Sequence, residues 1–206
     1  MKTALISMTL QMKDSVEAEG IKFKNYQLRN MLEVMNMLEN DVVVLKPLDN
    51  SKDDFITGIN DENLCQMYGL SYPADGEKLF RRFVKMNKVY GIFRKVDECL
   101  CGFIVCVDPE LPEHTLEQLP SRGKTLAYAT FPAYQRQGYM YSALSMLIAD
   151  LFEREEADFI HCGIHETNIP SAQLLKKSGF VVLSKHEFNG QIIVDEILHK
   201  ENESQE

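Results

Sequence analysis

The chain has 206 residues, 45% of them apolar, which suits one sizeable globular domain plus an extension. Its 31 acidic and 22 basic residues give a net charge of −9, which argues against nucleic acid as a partner, since phosphate binding needs a basic surface; an amine-bearing partner fits better. No apolar run approaches the ~20 residues of a membrane span, so no membrane partner is expected.

Residues 1–40 read as a helical extension. From Tyr26 to Glu39, Leu28, Met31, Leu32, Met35 and Leu38 recur at helical spacing and make an apolar stripe. This face packs on the main domain or, being Met-rich and adaptable, forms a homodimer or partner surface. Residues 41–200 form the main domain, and 201–206 a polar tail. Val42–Leu45 reads as a short strand ended by Lys46-Pro47. Residues 49–70 suit one or two short helices, and Pro73–Gly76 a turn. Glu77–Met86 is a helix with Leu79, Phe80 and Phe83 inward. Val89–Val96 and Leu100–Val107 form a hairpin around Asp97-Glu98. Residues 108–123 read as a long loop bordering a cleft.

Residues 125–131 alternate small and aromatic side chains and suit a buried strand, which Pro132 stops. The loop Gln135-Arg136-Gln137-Gly138 follows. A helix then begins near Tyr139, with Leu144, Leu147, Ile148 and Leu151 at i, i+3, i+4, i+7. Asp158–His165 is a strand, and Asn168 caps a short helix from Ser171 to Ser178 that Gly179 ends. Phe180–Phe188 and Gln191–His199 are strands joined at Asn189-Gly190, a strong hairpin signal.

The strand-loop-helix at 125–144 is an anion site by construction. Its first helical N–H groups are unpaired, the helix dipole points its positive end at the loop, and Arg136 adds a charge. Other phosphate loops fail on spacing. Gly123-Lys124-Thr125 resembles the end of a Walker A motif, but position 118 is Gln and a strand follows. No G-x-G-x-x-G occurs. Five cysteines, at 65, 99, 101, 106 and 162, fit neither a disulfide framework nor a zinc knuckle. His161 and His165 stand about 13 Å apart on a strand rising ~3.3 Å per residue, too far for one metal. Reduced thiols, and the polar residues that break up residues 1–14, lead to the expectation of a cytoplasmic protein without a metal.

Two segments carry a family resemblance. Gln135-Arg-Gln-Gly-Tyr-Met140 resembles the Q/R-x-x-G-x-G/A acyl-CoA pyrophosphate loop of the GNAT (GCN5-related N-acetyltransferase) superfamily, with Met140 where Gly or Ala is usual. Asn168-Ile-Pro-Ser171-Ala-Gln-Leu-Leu-Lys-Lys-Ser-Gly-Phe180 is similar to the N-x-x-S-x-x-L-x-x-K-x-G-F segment of its ribosomal-protein N-terminal acetyltransferase branch. The resemblance implies an α/β (α+β) fold, with a mixed, mostly antiparallel twisted sheet flanked by helices. It implies acetyl-CoA as cosubstrate and direct transfer of the acetyl group to a primary amine in a ternary complex. A small molecule or a protein N-terminus could supply that amine. The alternative is a non-catalytic acyl-CoA-binding or interaction module on the same fold.

Acetyl transfer needs a held thioester, a deprotonated amine, oxyanion donors and a proton for the leaving thiolate. By resemblance, Gln135, Arg136, Gln137, Gly138, Tyr139, Met140 and Tyr141 hold the pyrophosphate. Backbone N–H groups near Ala129, Thr130 and Phe131 meet the pantetheine and carbonyl where two strands splay apart. Asn168 and Ser171 contact the cofactor, Ser171 near its sulfur as the acid. The glutamate base of family members aligns with Gly163 and the usual tyrosine acid with Leu175, so His161, His165 and Glu166 remain alternatives for the base. Cys162 points away from the histidines and reads as a buried small hydrophobe.

Overall fold

The computed structural model describes residues 37–48, 51–86, 89–109 and 111–201. An eight-stranded sheet runs through it in the order β1-β2-β3-β4-β5-β6-β8-β7. Strands β1 (Leu38–Glu39), β2 (Val43–Pro47), β3 (Val89–Arg94), β4 (Leu100–Val107) and β5 (Gly123–Thr130) pair antiparallel in sequence order. β6 (Phe159–His165), β8 (Gln191–His199) and β7 (Val181–Phe188) form a second antiparallel set. One parallel junction, β5 to β6, joins the sets. A parallel pair needs a crossover, and helix α5 (Tyr139–Glu153) supplies it.

Most of the helix named above for Tyr26–Glu39 lies outside the described residues. Its last two positions belong to β1, where Leu38 pairs with Leu45 and is buried. Position 38 thus contributes to a strand core rather than a helical stripe. The loop expected at 108–123 contains a short helix, α4 (Glu113–Leu116). The polar tail lies outside the description from 202 on.

The sheet has a core on each face. On one, Met140, Ala143, Leu144, Leu147, Ile148 and Leu151 of α5 bury a stripe against Leu45, Ile92, Ile104, Leu126, Ile160 and Val194. Helix α6 (Ile169–Lys177) adds Leu175. The other face takes α1 (Lys52–Ile59), α2 (Glu62–Met67) and α3 (Gly76–Met86). Asp53 and Asp54 sit in the first turn of α1, where the helix dipole favours acids. Asp61 caps α2, its Oδ1 accepting from Leu64 N–H at 2.9 Å. These helices bury an aromatic cluster in which Phe55 lies 5.6 Å from each of Phe80, Phe83 and Phe103. Each fully buried side chain among them, such as Phe55 and Phe103, contributes roughly 1.5–3 kcal/mol relative to exposure, and half-buried Phe83 less.

The turn chemistry follows the residues. Asn189 and Gly190 both take positive φ, 51° and 76°, as a two-residue hairpin with matching twist requires. Gly102 lets two backbones meet: a Cβ there would lie 2.1 Å from the carbonyl oxygen of Ala129. Beside it a bulge shifts the β3–β4 register between Ile92 and Phe93, and Cys101 O accepts from Phe131 N–H at 2.9 Å.

Candidate active site

The parallel junction is short. β5 and β6 pair only at Gly123–Phe159, Lys124–Ile160 and Thr125–His161. Beyond Thr125, β5 pairs with β4 alone, up to Thr130, and beyond His161, β6 pairs with β8 alone, up to His165. The sheet therefore opens internally after Thr125. Phe131 N–H bonds to Cys101 O, so by antiparallel alternation the odd residues of β5 turn their backbone groups to β4. Leu126, Tyr128 and Thr130 turn theirs into the opening. Of the three positions expected to present N–H groups, Thr130 faces the opening. Ala129 and Phe131 face β4, and their side chains sit in the aromatic core. Tyr128 is a second amide on the opening that the sequence did not single out.

The opening leads to the loop that joins β5 to α5. After β5, Pro132–Tyr134 make a 3-10 turn. Gln135 Nε2 donates to Thr130 O at 3.2 Å and Gln137 Nε2 to Ala133 O at 3.0 Å, which fixes the loop to its flanks. Arg136 and Gly138 take positive φ, 60° and 83°. The first bond of α5 runs from Ser142 N–H to Gly138 O at 3.0 Å, so the amides of Gly138, Tyr139, Met140 and Tyr141 precede it. Nothing lies within 4 Å of where a Gly138 Cβ would stand. Met140 does not fill that space: it is 6% exposed and packed in the core with Ala143 and Leu144. Tyr141 lies under Lys177, whose Nζ is 3.9 Å from the ring centroid.

On the α5/α6 side of the opening, Asn168 caps α6, its Oδ1 accepting from Ser171 N–H at 3.2 Å. Ser171 is buried, and its hydroxyl shares a 2.7 Å hydrogen bond with the Tyr128 hydroxyl. Burial pushes the Tyr128 phenol above its ordinary value, so it stays protonated at neutral pH. Cys162, at 1% exposure, is also pushed up by burial, which keeps the thiol neutral and unsuited to nucleophilic attack. Its pairing partner Glu196 is buried beside it, and desolvation raises that carboxyl.

The opposite side holds a second polar group. His161 Nδ1 is 2.9 Å from Thr125 Oγ1, and Nε2 is 3.1 Å from Asp195 Oδ1. Ser184 Oγ donates to Asp195 Oδ2 at 2.6 Å, and His186 Nδ1 lies 3.0 Å from the same oxygen. Desolvation alone would raise the buried Asp195 carboxyl. The hydrogen bonds from Ser184 and His161, with the field of both imidazoles, outweigh it and hold the carboxyl below its ordinary value. Gly163 and Ala127 are exposed on this side. His165 is half-buried at the end of β6, and Glu166 is exposed and paired with Lys185 at 2.7 Å. Neither joins the His161 cluster.

Next to this face is an apolar hollow of about 250 Å³, lined by Ile59, Tyr68, Leu79, Phe83, Phe103 and Val105 among others. A larger, charged hollow of about 650 Å³ is lined by α3 and Asp75 and has none of the opening's residues. Among the described residues, no group of three His, Cys, Asp or Glu could hold a metal, and no helix is long and apolar enough to cross a membrane.

The partners that sequence reading missed, Tyr128 for Ser171 and Asp195 for His161, lie 43 and 34 residues away along the chain. Only strand order brings them together. The one available signal was alternation: Asp195 breaks the apolar run of Gln191–His199 on the face it shares with Ile193 and Ile197.

No curated protein matches the chain by sequence. An acetyltransferase of the GNAT family from Bacillus anthracis superposes with a TM-score of 0.67 at 13% identity, covering 79% of this chain and 98% of its own. A GCN5-related N-acetyltransferase from Brucella melitensis gives 0.64 at 14% identity, covering 80% and 78%. A ribosomal L7/L12 alpha-N-protein acetyltransferase gives 0.61 at 11% identity, covering 80% and 94%. At these identities the likeness is one of fold. The profile of the acetyltransferase (GNAT) domain matches residues 43–181, from β2 to the start of β7, and the chain belongs to that family.

Proposed function

We propose that the protein transfers an acetyl group from acetyl-CoA to a primary amine, directly, within a ternary complex. The observation that carries this reading is the conjunction of an internally opened sheet with an anion-binding helix start at its mouth. The residues fit the cosubstrate: Gly138 leaves open space, Arg136 supplies charge, the amides of Gly138–Tyr141 precede the first helical bond, and Met140 is turned into the core. When bound, acetyl-CoA supplies an activated acetyl group and a thiol leaving group. Gln135–Tyr141 hold its diphosphate, and the amides of Tyr128 and Thr130 face the opening as donors for the carbonyl oxygen. Tyr128, kept protonated by burial and hydrogen-bonded to Ser171, supplies the proton at the leaving sulfur, with Ser171 orienting its hydroxyl. The apolar hollow at Tyr68 and Phe103 suits an acceptor carrying an apolar group beside its amine.

Calorimetry with acetyl-CoA, followed by thiol release across a panel of peptides, polyamines, amino acids and aminoglycosides, tests the reading. Binding, with release for at least one amine class, is expected. No binding at millimolar acetyl-CoA would sink it.

A further inference from the structure

The family position for a strand glutamate is Gly163 here, which leaves the acceptor ammonium without that base. Three observations locate a substitute. A Cβ on Gly163 would lie 3.5 Å from Ile193 Cγ2, 3.6 Å from Asp195 Oδ1 and 3.9 Å from His161 Cε1, so the space a side chain at 163 would enter is bordered by a methyl group, a carboxylate and an imidazole. Asp195 is held on both oxygens, by His161 on one and by Ser184 and His186 on the other. Thr125, half-buried, closes the array at the last residue pair before the sheet opens, with exposed Ala127 and Gly163 beyond it.

The polarity of the array follows from what each atom can do. An ionised carboxylate only accepts, so His161 Nε2 carries the proton and donates to Asp195. In a neutral ring Nδ1 then accepts, and the Thr125 hydroxyl donates to it. Thr125 Oγ1 is left with free lone pairs next to the opening. Resting on the acetyltransferase reading, we propose that Thr125, His161 and Asp195 form the proton acceptor for the amine. The ammonium N–H breaks as an O–H forms on Thr125 Oγ1, the hydroxyl's original proton passes to His161 Nδ1, and the freed nitrogen lone pair attacks the acetyl carbonyl. Asp195 is the positioning residue: it sets the tautomer and balances the imidazolium that forms. Among the described residues, the groups hydrogen-bonded to His161 are Thr125 and Asp195, and those hydrogen-bonded to Asp195 are His161, Ser184 and His186.

The test has two arms. In the first, thiol release is followed with acetyl-CoA and the fastest amine of the panel. Thr125→Val should lower kcat about a hundredfold, the lower end for a positioned base. Thr125→Ser should restore it to within a few-fold of wild type, and acetyl-CoA affinity should be unchanged in both. Asp195→Asn keeps an acceptor oxygen but removes the charge. With no charge left to balance the imidazolium, kcat should fall about a hundredfold, again with acetyl-CoA affinity unchanged. In the second arm, nitrogen-15 NMR of the wild-type imidazoles should show His161 with its proton on Nε2, and Asp195→Asn, whose amide can donate to Nε2, should shift the neutral ring toward the Nδ1 tautomer. Wild-type turnover in Thr125→Val, or a proton on Nδ1 of His161 in the neutral wild type, overturns the relay alone. A protein that binds acetyl-CoA but acetylates no amine overturns the parent reading and the relay with it.

Discussion

Replacing Gly138 by aspartate separates binding from folding at the helix start. Gly138 has φ +83°, and a Cβ there would meet nothing within 4 Å. The cost to the fold is therefore the left-handed backbone alone, about 1 kcal/mol, and aspartate tolerates that region better than most residues. In the proposed acetyl-CoA complex the same geometry sets the new charge against the diphosphate. Two unit charges 4 Å apart repel by about 1 kcal/mol in bulk water and about 4 kcal/mol at an effective dielectric of 20. Acetyl-CoA affinity should fall between about fivefold and about a thousandfold, at tenfold per 1.4 kcal/mol, while the melting temperature moves by only a few degrees. Calorimetry with acetyl-CoA and a thermal melt on the same sample measure both. Pantetheine, which lacks the diphosphate, should bind wild type and variant alike. A variant that keeps wild-type acetyl-CoA affinity would show that Gly138 does not face the diphosphate.

Two further outcomes follow from buried groups. Ser171→Ala removes the partner of the Tyr128 hydroxyl, so kcat should fall roughly tenfold or more with little change in acetyl-CoA affinity; unchanged turnover would remove Ser171 from the proton path. Glu196→Gln should stabilise the protein at neutral pH. The folded carboxyl titrates above its unfolded value, so its burial is without cost below the unfolded pKa and becomes destabilising as pH rises through the folded one. Melts at pH 4 and pH 8 should show the variant's advantage only at the higher pH.

What could be read from the sequence was local. Asn189-Gly190 announced its hairpin because only a residue pair tolerant of positive φ makes that turn. The stripe from Leu144 to Leu151 announced α5, since burial along one helix face is periodic. Asn168 announced the cap of α6. The loop at 135–141 was legible for the same reason: its charge, glycine and helix start are adjacent in the chain. The Tyr128–Ser171 and His161–Asp195 pairs were not, because each depends on which strands neighbour one another. β1 escaped because Leu38 fits a helical stripe as well as a two-residue strand; its contacts with β2 decide between them.

Among the described residues, a sheet that separates in its middle has two inner edges besides the outer ones at β1 and β7. An outer edge invites another protein to add a strand. An inner edge admits something narrower, because β4 and β8 lie close behind its two lips. The three pairs at Gly123–Thr125 act as the hinge of that gap. Whatever bridges it ties together two halves that otherwise share a short seam, so hydrogen exchange at Tyr128 and Thr130 should slow on ligand binding while that at the hinge residues changes little.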